Sequence, residues 1–459
     1  MSTVIMSTSR PTLVRSEFPQ HRLLASRFLT VASLAFAFAA FHKHPSPLSA
    51  QEPVVAKRQM KLTLEKKVLD VIEKGDLLTV LAERDSSYVI RTFNGQKGAV
   101  SKGNAVPLAE AVPIYDDLID ENPDEGRLYT LRAGAHWAVG DAEKALADYS
   151  AAIDEGYDEA HAYSSRGLFL ASMGKFDEAI EDYTAAIEKD PEEEIALLNR
   201  AGVYMSMGKY EDAVADYSAA SKLNPKNPVT FSQRAVAHKL LGDLPAAIKD
   251  YGLTLQLAEK DVTAHMGRGF VHFQLGKHKE AIADFSNAIE LSPESAVALN
   301  NRGFNYQALD KHDLAIKDFS RAVELAPQYV LALQNKGWLL TICEDKDLRD
   351  PMQAVETAEK LCELSEFKDP SNLTLLAASY ASGGDFESAI GWQEKVIEIA
   401  TEQQSKIAKQ ILELYKNEQE LDPTLLEVAE DTAESASSDV NTTKPAENAE
   451  EKNNDKAIE

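Results

Sequence analysis

The sequence predicts a mostly α-helical chain: an α-solenoid of antiparallel helix pairs, preceded by a small all-β barrel and followed by a disordered tail. Three observations carry that prediction. Ala145, Ala179, Ala213, Ala247, Ala281 and Ala315 recur every 34 residues, and so do Tyr149, Tyr183, Tyr217, Tyr251, Phe285 and Phe319. Turn glycines Gly140, Gly174, Gly208, Gly242 and Gly276 keep the same step, with Asp310 in the sixth place. Three combs without an insertion over about 200 residues exclude coincidence, and a period of this length means stacked two-helix units.

The chain opens on different material. Arg10, Arg15, Arg22 and Arg27 precede the uncharged stretch 28–41, and small residues lead up to Gln51. Residues 1–50 thus have the layout of a secretory signal peptide, with cleavage expected after Ala50. The apolar stretch falls short of the ~20 residues that span a bilayer. An uncleaved anchor and an organelle transit peptide are the alternatives. The expected location is outside the cytoplasm, periplasmic or extracellular, with membrane anchoring if the signal stays uncleaved. No cysteine follows the apolar run, which argues against a lipoprotein anchor.

Residues 57–108 read as β. Short runs rich in Val, Ile, Leu and aromatics are punctuated by Lys74-Gly75-Asp76, Asp85-Ser86-Ser87 and Asn94-Gly95. The helical repeats are expected over 109–419. In the unit at 160–191, Tyr163, Gly167 and Leu170 share one face of a first helix, and Gly174 ends it. Ala179, Ile180, Tyr183, Ala186 and Ile187 line a second helix, which Pro191 stops. Gly167, Ala179 and Ala186 are small where the helices approach, and Tyr183 is large where the next unit must be met. From residue 420 to 459 no aromatic occurs, and residues 421–459 hold 11 acidic against 3 basic side chains. Such a segment cannot bury enough apolar surface to order itself, so it is read as a solubilising tail, or else a regulatory one.

The pattern of small residue, turn glycine, alanine, aromatic, alanine and proline at this period resembles the tetratricopeptide repeat. That resemblance implies a right-handed solenoid of six regular units over Gly126–Pro327. Ala111, Tyr115 and Pro123 extend the combs backwards as a half unit that caps the N-terminal end. In a divergent seventh unit Gly337 keeps register, but about five residues around 345–350 are inserted before Ala354. Ala377, Gly384 and Ala389 restore the pattern in an eighth unit, and residues 403–416 read as a closing cap helix. The last two units resemble those of exported, planctomycete-type bacterial repeat proteins. The stretch from Lys74 to Val100 resembles a bacterial Src-homology-three-like module. Ala99 stands where an aromatic is usual, and Tyr88 where Trp is common, which favours a spacer or cap over a binding cleft.

No motif in the sequence points to catalysis. It has no phosphate-cradling glycine loop, no zinc-ligand pair of Cys or His, and no nucleophile elbow, so no catalytic residue, cofactor or metal is expected. His265 and His272 share a helix face, with His238 at the equivalent place of its own unit. They read as structural histidines, a metal site being the alternative. Cys343 and Cys362 are placed too far apart along their helices to bond, so two free buried thiols are expected. A net charge of -26 excludes nucleic acid and anionic lipid as partners and favours apolar or basic protein.

Two repeated patterns could bind a partner. In this family the inner wall is built by the first helices. The residue just after the small seam residue is Val236, Phe270, Phe304 and Trp338 in four successive units, with Phe273 one turn on from Phe270. Trp137 and Met205 add a satellite patch. These seven residues are the candidate groove for an apolar peptide, the alternative being packing between first helices. The second pattern is ionic: Arg132, Arg166, Arg200, Arg234, Arg268 and Arg302 each stand 16 residues before Asp148, Asp182, Asp216, Asp250, Asp284 and Asp318. It reads as a ladder of exposed bridges, with an acidic-ligand site as the sharper alternative. The function expected is a non-enzymatic protein-interaction scaffold. An accessory subunit or assembly factor for an exported enzyme complex is the runner-up, and a hydrolase with an unfamiliar site the third possibility.

Overall fold

The computed structural model describes residues 52–426, apart from 65, 66, 158 and 424. The expected signal peptide and residues 427–459 of the expected tail lie outside the described residues. Two compact units divide the chain, one ending at Val271 and the other beginning at His272.

The first unit opens with seven strands: β1 (Val54–Ala56), β2 (Met60–Leu64), β3 (Lys67–Ile72), β4 (Leu77–Glu83), β5 (Ser87–Arg91), β6 (Lys97–Ser101) and β7 (Ala105–Pro107). Five form an antiparallel sheet in the order β6-β5-β4-β1-β7, while β2 and β3 make a separate hairpin. Val54, Ala56, Leu62, Ile72, Leu78, Val80, Ile90 and Val100 meet in one core. The module starts three residues earlier than the predicted 57, because Val54–Ala56 is a central strand too short to show periodicity. It is seated on the helices that follow. Val55 and Leu108 share an apolar cluster with Ala111, Tyr115 and Ala135. The Tyr115 hydroxyl donates to the Gly75 carbonyl at 3.1 Å, and Arg127 reaches Asp76 at 3.4 Å. Those contacts fit a cap rather than a tethered spacer.

Among the described residues, helices then follow without interruption by strands. The N-terminal half unit is α1 (Val112–Glu121), whose Tyr115 is fully buried. Helix pairs succeed it: α2 (Gly126–Ala138) with α3 (Ala142–Asp154), α4 (Glu159–Ser172) with α5 (Phe176–Lys189), α6 (Glu194–Ser206) with α7 (Tyr210–Leu223), and α8 (Pro228–Leu240) with α9 (Leu244–Leu257). The fifth pair is α10 (Val262–Gln274) and α11 (His278–Leu291), and the sixth α12 (Ala296–Gln307) and α13 (His312–Leu325). The divergent pairs are α14 (Val330–Ile342) with α15 (Pro351–Leu364) and α16 (Pro370–Ser382) with α17 (Phe386–Ile399), closed by α18 (Glu402–Lys416).

Each comb has a physical task. The six second-helix aromatics are all buried, and so are the six comb alanines. A Cβ added to Gly303 would lie 2.8 Å from the Phe319 ring, so the ring needs a bare backbone to rest on. Tyr183 also reaches forward to Ala196 and Val203 of the next unit. In the six regular units the first helix ends in a left-handed residue: Gly140 has φ 83°, and the Asp141 amide donates back to the His136 carbonyl at 2.9 Å. Asp310 adopts the same conformation with φ 58°, and Lys311 makes the equivalent bond to Tyr306 at 2.9 Å. The inserted residues after α14 form a short turn that Arg349 ties down, its Nε donating to the Cys343 carbonyl at 2.6 Å. Cys343 and Cys362 are buried free thiols, and burial pushes the Cys362 thiol up to about 12. Thr401 and Gln404 close a reciprocal capping box that starts α18.

Candidate partner-binding face

The face in question is the exposed side of the first helices, opposite the small seam residues. Within the first unit, Trp137, Val236 and Phe270 are half-buried. Trp137 packs edge-on against the buried Phe169 ring at 5.3 Å. Val236 bridges two apolar clusters, and Phe270 carries the Lys239 ammonium over its ring at 5.4 Å. Burial lowers the pKa of Lys239, which occupies in its unit the place of Trp137, Met205 and Phe273. The comb that holds those three apolar residues contains this lysine as well, and a pattern of apolar residues alone does not include it.

Met205 departs from the expectation. It is buried, in one cluster with Leu198, Tyr217 and Ala237. Val236 and Leu240 pack onto that cluster from α8, so the thioether side chain lies inside it and not on the open face.

Within the second unit, Phe273, Phe304 and Trp338 are half-buried. Phe273 and Phe304 meet edge to face at 5.3 Å, a favourable arrangement for their ring quadrupoles. Phe304 packs against the cluster that holds Phe319 and Leu339, and Trp338 against the one that holds Leu375 and Leu376. Each ring is thus packed in part and accessible in part, unlike the buried second-helix rings.

The ionic comb is more buried than expected. Arg166 clasps Asp182 through Nε and Nη2, both at 2.8 Å, and Arg132, Arg200, Arg234 and Arg302 clasp Asp148, Asp216, Asp250 and Asp318 in the same two-pronged way. These are not exposed surface bridges, because the Asp182 side chain is only 7% accessible. The remaining nitrogen, Nη1, points back to the preceding second helix. It donates to Ser150 from Arg166, to Thr184 from Arg200, to Ser218 from Arg234 and to Ser286 from Arg302, at 2.8–3.2 Å. In the first such place Arg132 takes Asp116 at 2.8 Å. One arginine thus staples three helices, with three of its five N–H groups engaged inside the protein. The clasped carboxylates neutralise these arginines, which disfavours an acidic ligand on the row.

The histidines attach to the same staples. His136, His238 and His272 each bring Nε2 within 3.8–3.9 Å of Asp148, Asp250 and Asp284. His265 Nε2 lies 3.1 Å from the Glu259 carbonyl.

Comparison with known proteins agrees with this architecture. A tetratricopeptide-repeat family model matches residues 108–160 and 166–228, and a second model of that description matches 261–328. Among solved structures the chain is similar to MamA, at 24% identity and TM-score 0.36, covering 37% of this chain and 92% of that one. It is similar to YrrB, titled a tetratricopeptide-repeat protein with an unusual peptide-binding site, at 24% identity and TM-score 0.38, covering 41% and 97%. A tetratricopeptide repeat protein from Parabacteroides merdae matches at 19% identity and TM-score 0.38, over 66% of this chain and 98% of that one. No curated protein matches the sequence.

Proposed function

Given a chain built of tetratricopeptide repeats, we propose that it is a non-catalytic, exported interaction scaffold that holds a protein or peptide on its first-helix face. The observation that carries this is the set of half-buried rings Phe273, Phe304 and Trp338, partly accessible on the first helices. Apolar surface left bare in this way usually serves a contact. The net charge of -26 adds that the partner is apolar or basic. Export rests on the N-terminal pattern of residues 1–50, and Edman sequencing of the mature protein is expected to start near Gln51.

Phe304→Ala and Trp338→Ala test the binding role. If the rings form a contact surface, capture of proteins from the native organism falls by about 1–2 kcal/mol in binding free energy, with little change in melting temperature. A loss of about 3–5 kcal/mol in stability for both variants would assign the rings to packing and remove the proposal.

A further inference from the structure

The column of residues that follows each seam residue ends in the eighth unit at Ala378, after Phe304 and Trp338 in the units before. There the side chain shrinks to a methyl group, and the chain itself fills the space. Leu421, from the stretch expected to be disordered, is 7% accessible. It lies in one apolar cluster with Ala377, Ala378 and Ala381 of α16 and Ile411 and Tyr415 of α18. Leu425 and Leu426 pack onto that cluster, as do Trp338 and Ile342 of α14.

The route is built into the local sequence. Helix α18 ends with Glu418 in the left-handed region, φ 54°, and the Gln419 amide donates to the Leu414 carbonyl at 3.0 Å. This reverses the chain. Amides of Leu425 and Leu426 then donate to Asp422 and Pro423 carbonyls at 3.1 and 3.0 Å, opening a helical turn. Leu421, Leu425 and Leu426 are thereby brought to the same apolar cluster. Glu420 Oε2 meets Arg349 Nη1 at 2.7 Å, and Arg349 is itself fixed on the Cys343 carbonyl. The fit is incomplete, since a cleft of about 40 Å³ remains between Thr341, Ile342, Ala378, Ser382 and Leu421.

We propose that the surface made by α14, α16 and α18 is a peptide site for a short segment carrying an acidic residue followed directly by a leucine, with two further leucines four and five residues on. The chain's own Glu420, Leu421, Leu425 and Leu426 occupy it until such a partner displaces them. This rests on the reading that first-helix faces bind partners, and it names the chemistry at one end. A cation at Arg349 selects the acid locally, although the chain as a whole is acidic. A segment joined to α18 by three residues holds the site at high effective concentration, so an external peptide meets a strong competitor.

The probe is a fluorescent peptide with the sequence of residues 418–426, titrated into the full-length chain by anisotropy. Leu421→Glu, Leu425→Glu and Leu426→Glu combined free the site without altering its walls. The freed chain is expected to bind the peptide about tenfold or more tightly than the unaltered chain, the margin set by the tethered competitor. Adding Arg349→Ala is expected to take most of that gain back. No gain in a freed chain that keeps its helical circular dichroism overturns the proposal. Should the triple variant misfold, hydrogen exchange on the unaltered chain decides. Saturating unlabelled peptide must speed exchange at Leu421, Leu425 and Leu426, and unchanged rates overturn the proposal. If the peptide fails while Phe304→Ala still abolishes partner capture, the scaffold reading stands and this site alone falls.

Discussion

The regular units and the two divergent ones seal the same helix pair in different ways. In α4 and α5 the seam is locked by an ion pair, Arg166 on the buried Asp182, with a third helix drawn in through Ser150. At the matching places of α14 and α15 stand Lys336 and Thr357, the latter three residues after Ala354 as Asp318 is after Ala315. There the cohesion passes to a leucine-rich cluster, Leu333, Leu361, Leu373, Leu375 and Leu376, and to a hydroxyl pair, Thr341 with Ser379 at 3.0 Å. Small seam residues persist through both regions, and the eighth unit keeps the turn, Gly384 at φ 80° repeating Gly140, whereas the seventh leaves α14 through Cys343 with φ -50° and ψ 134°. What defines a unit is therefore its close backbone approach. The adhesive between helices is exchangeable, and a unit freed from the ionic staple can use its apolar surface for other contacts.

Removing the adhesive sharpens the contrast most. Asp182→Ala leaves a mostly buried guanidinium without its carboxylate, which costs about 3 kcal/mol, at the low end for buried pairs because Arg166 keeps some contact with water. Thr357→Ala loses one neutral hydrogen bond, from its hydroxyl to the Gln353 carbonyl at 2.7 Å, and is expected to cost about 1 kcal/mol. Repeat arrays unfold unit by unit, so hydrogen exchange in α5 and α15 reads each loss directly. Equal losses would show that the two regions are held alike.

Alkali separates them next. Burial raises the Cys362 thiol from 9.0 to about 12, and the Tyr251 phenol from 10.0 to about 12. Both groups stay protonated in the folded state while the unfolded chain loses its protons. Stability is thus complete below the unfolded values and declines as pH rises towards the folded ones, at about 1.4 kcal/mol per pH unit per group. The decline begins near pH 9 around Cys362 and near pH 10 around Tyr251. Exchange measured between pH 9 and 10 is expected to quicken in α15 before α9, and the reverse order would break the comparison.

Backbone strain gives a smaller effect. Asp310 is the one place in the glycine comb where a side chain occupies the left-handed region. Asp310→Gly should raise stability by about 1 kcal/mol, less whatever entropy glycine returns to the unfolded chain. An unchanged melting temperature would mean that the two terms cancel.

The repeat architecture was legible in the sequence because each comb reports a constraint every unit must satisfy by itself. Alanine fits where helices touch, glycine where the chain turns left-handed, an aromatic where two units meet. Pairing of Arg166 with Asp182 was legible for the same reason, but its burial was not, since spacing says nothing of depth. The column that receives Nη1 was not legible because it mixes Asp116, Ser150, Thr184, Ser218 and Ser286, residues alike in accepting a hydrogen bond and unlike in letter. Met205 was misplaced because its exposure is decided by Val236 and Leu240 on the next first helix. Leu421 was hidden by an acidic, aromatic-free surrounding; three leucines give too little periodicity to outweigh that composition.

The column itself contains a gap, and filling it is the smallest test. Gly252 stands where Ser218 and Ser286 stand in the neighbouring units, and a Cβ built there meets only Arg268 Nη1, at 4.0 Å. Gly252→Ala should stabilise α9 by about 0.5–1 kcal/mol through helix propensity alone. Serine is the poorer helix former, so on propensity Gly252→Ser should gain about 0.5 kcal/mol less than alanine. If the added hydroxyl accepts from Arg268 as its counterparts accept from Arg234 and Arg302, it recovers about 1 kcal/mol and serine equals or passes alanine. Chemical unfolding of the two variants side by side decides the matter. Serine trailing alanine by the full propensity difference would mean that the column contributes nothing net, and that the staple's strength lies wholly in the Arg–Asp clasp.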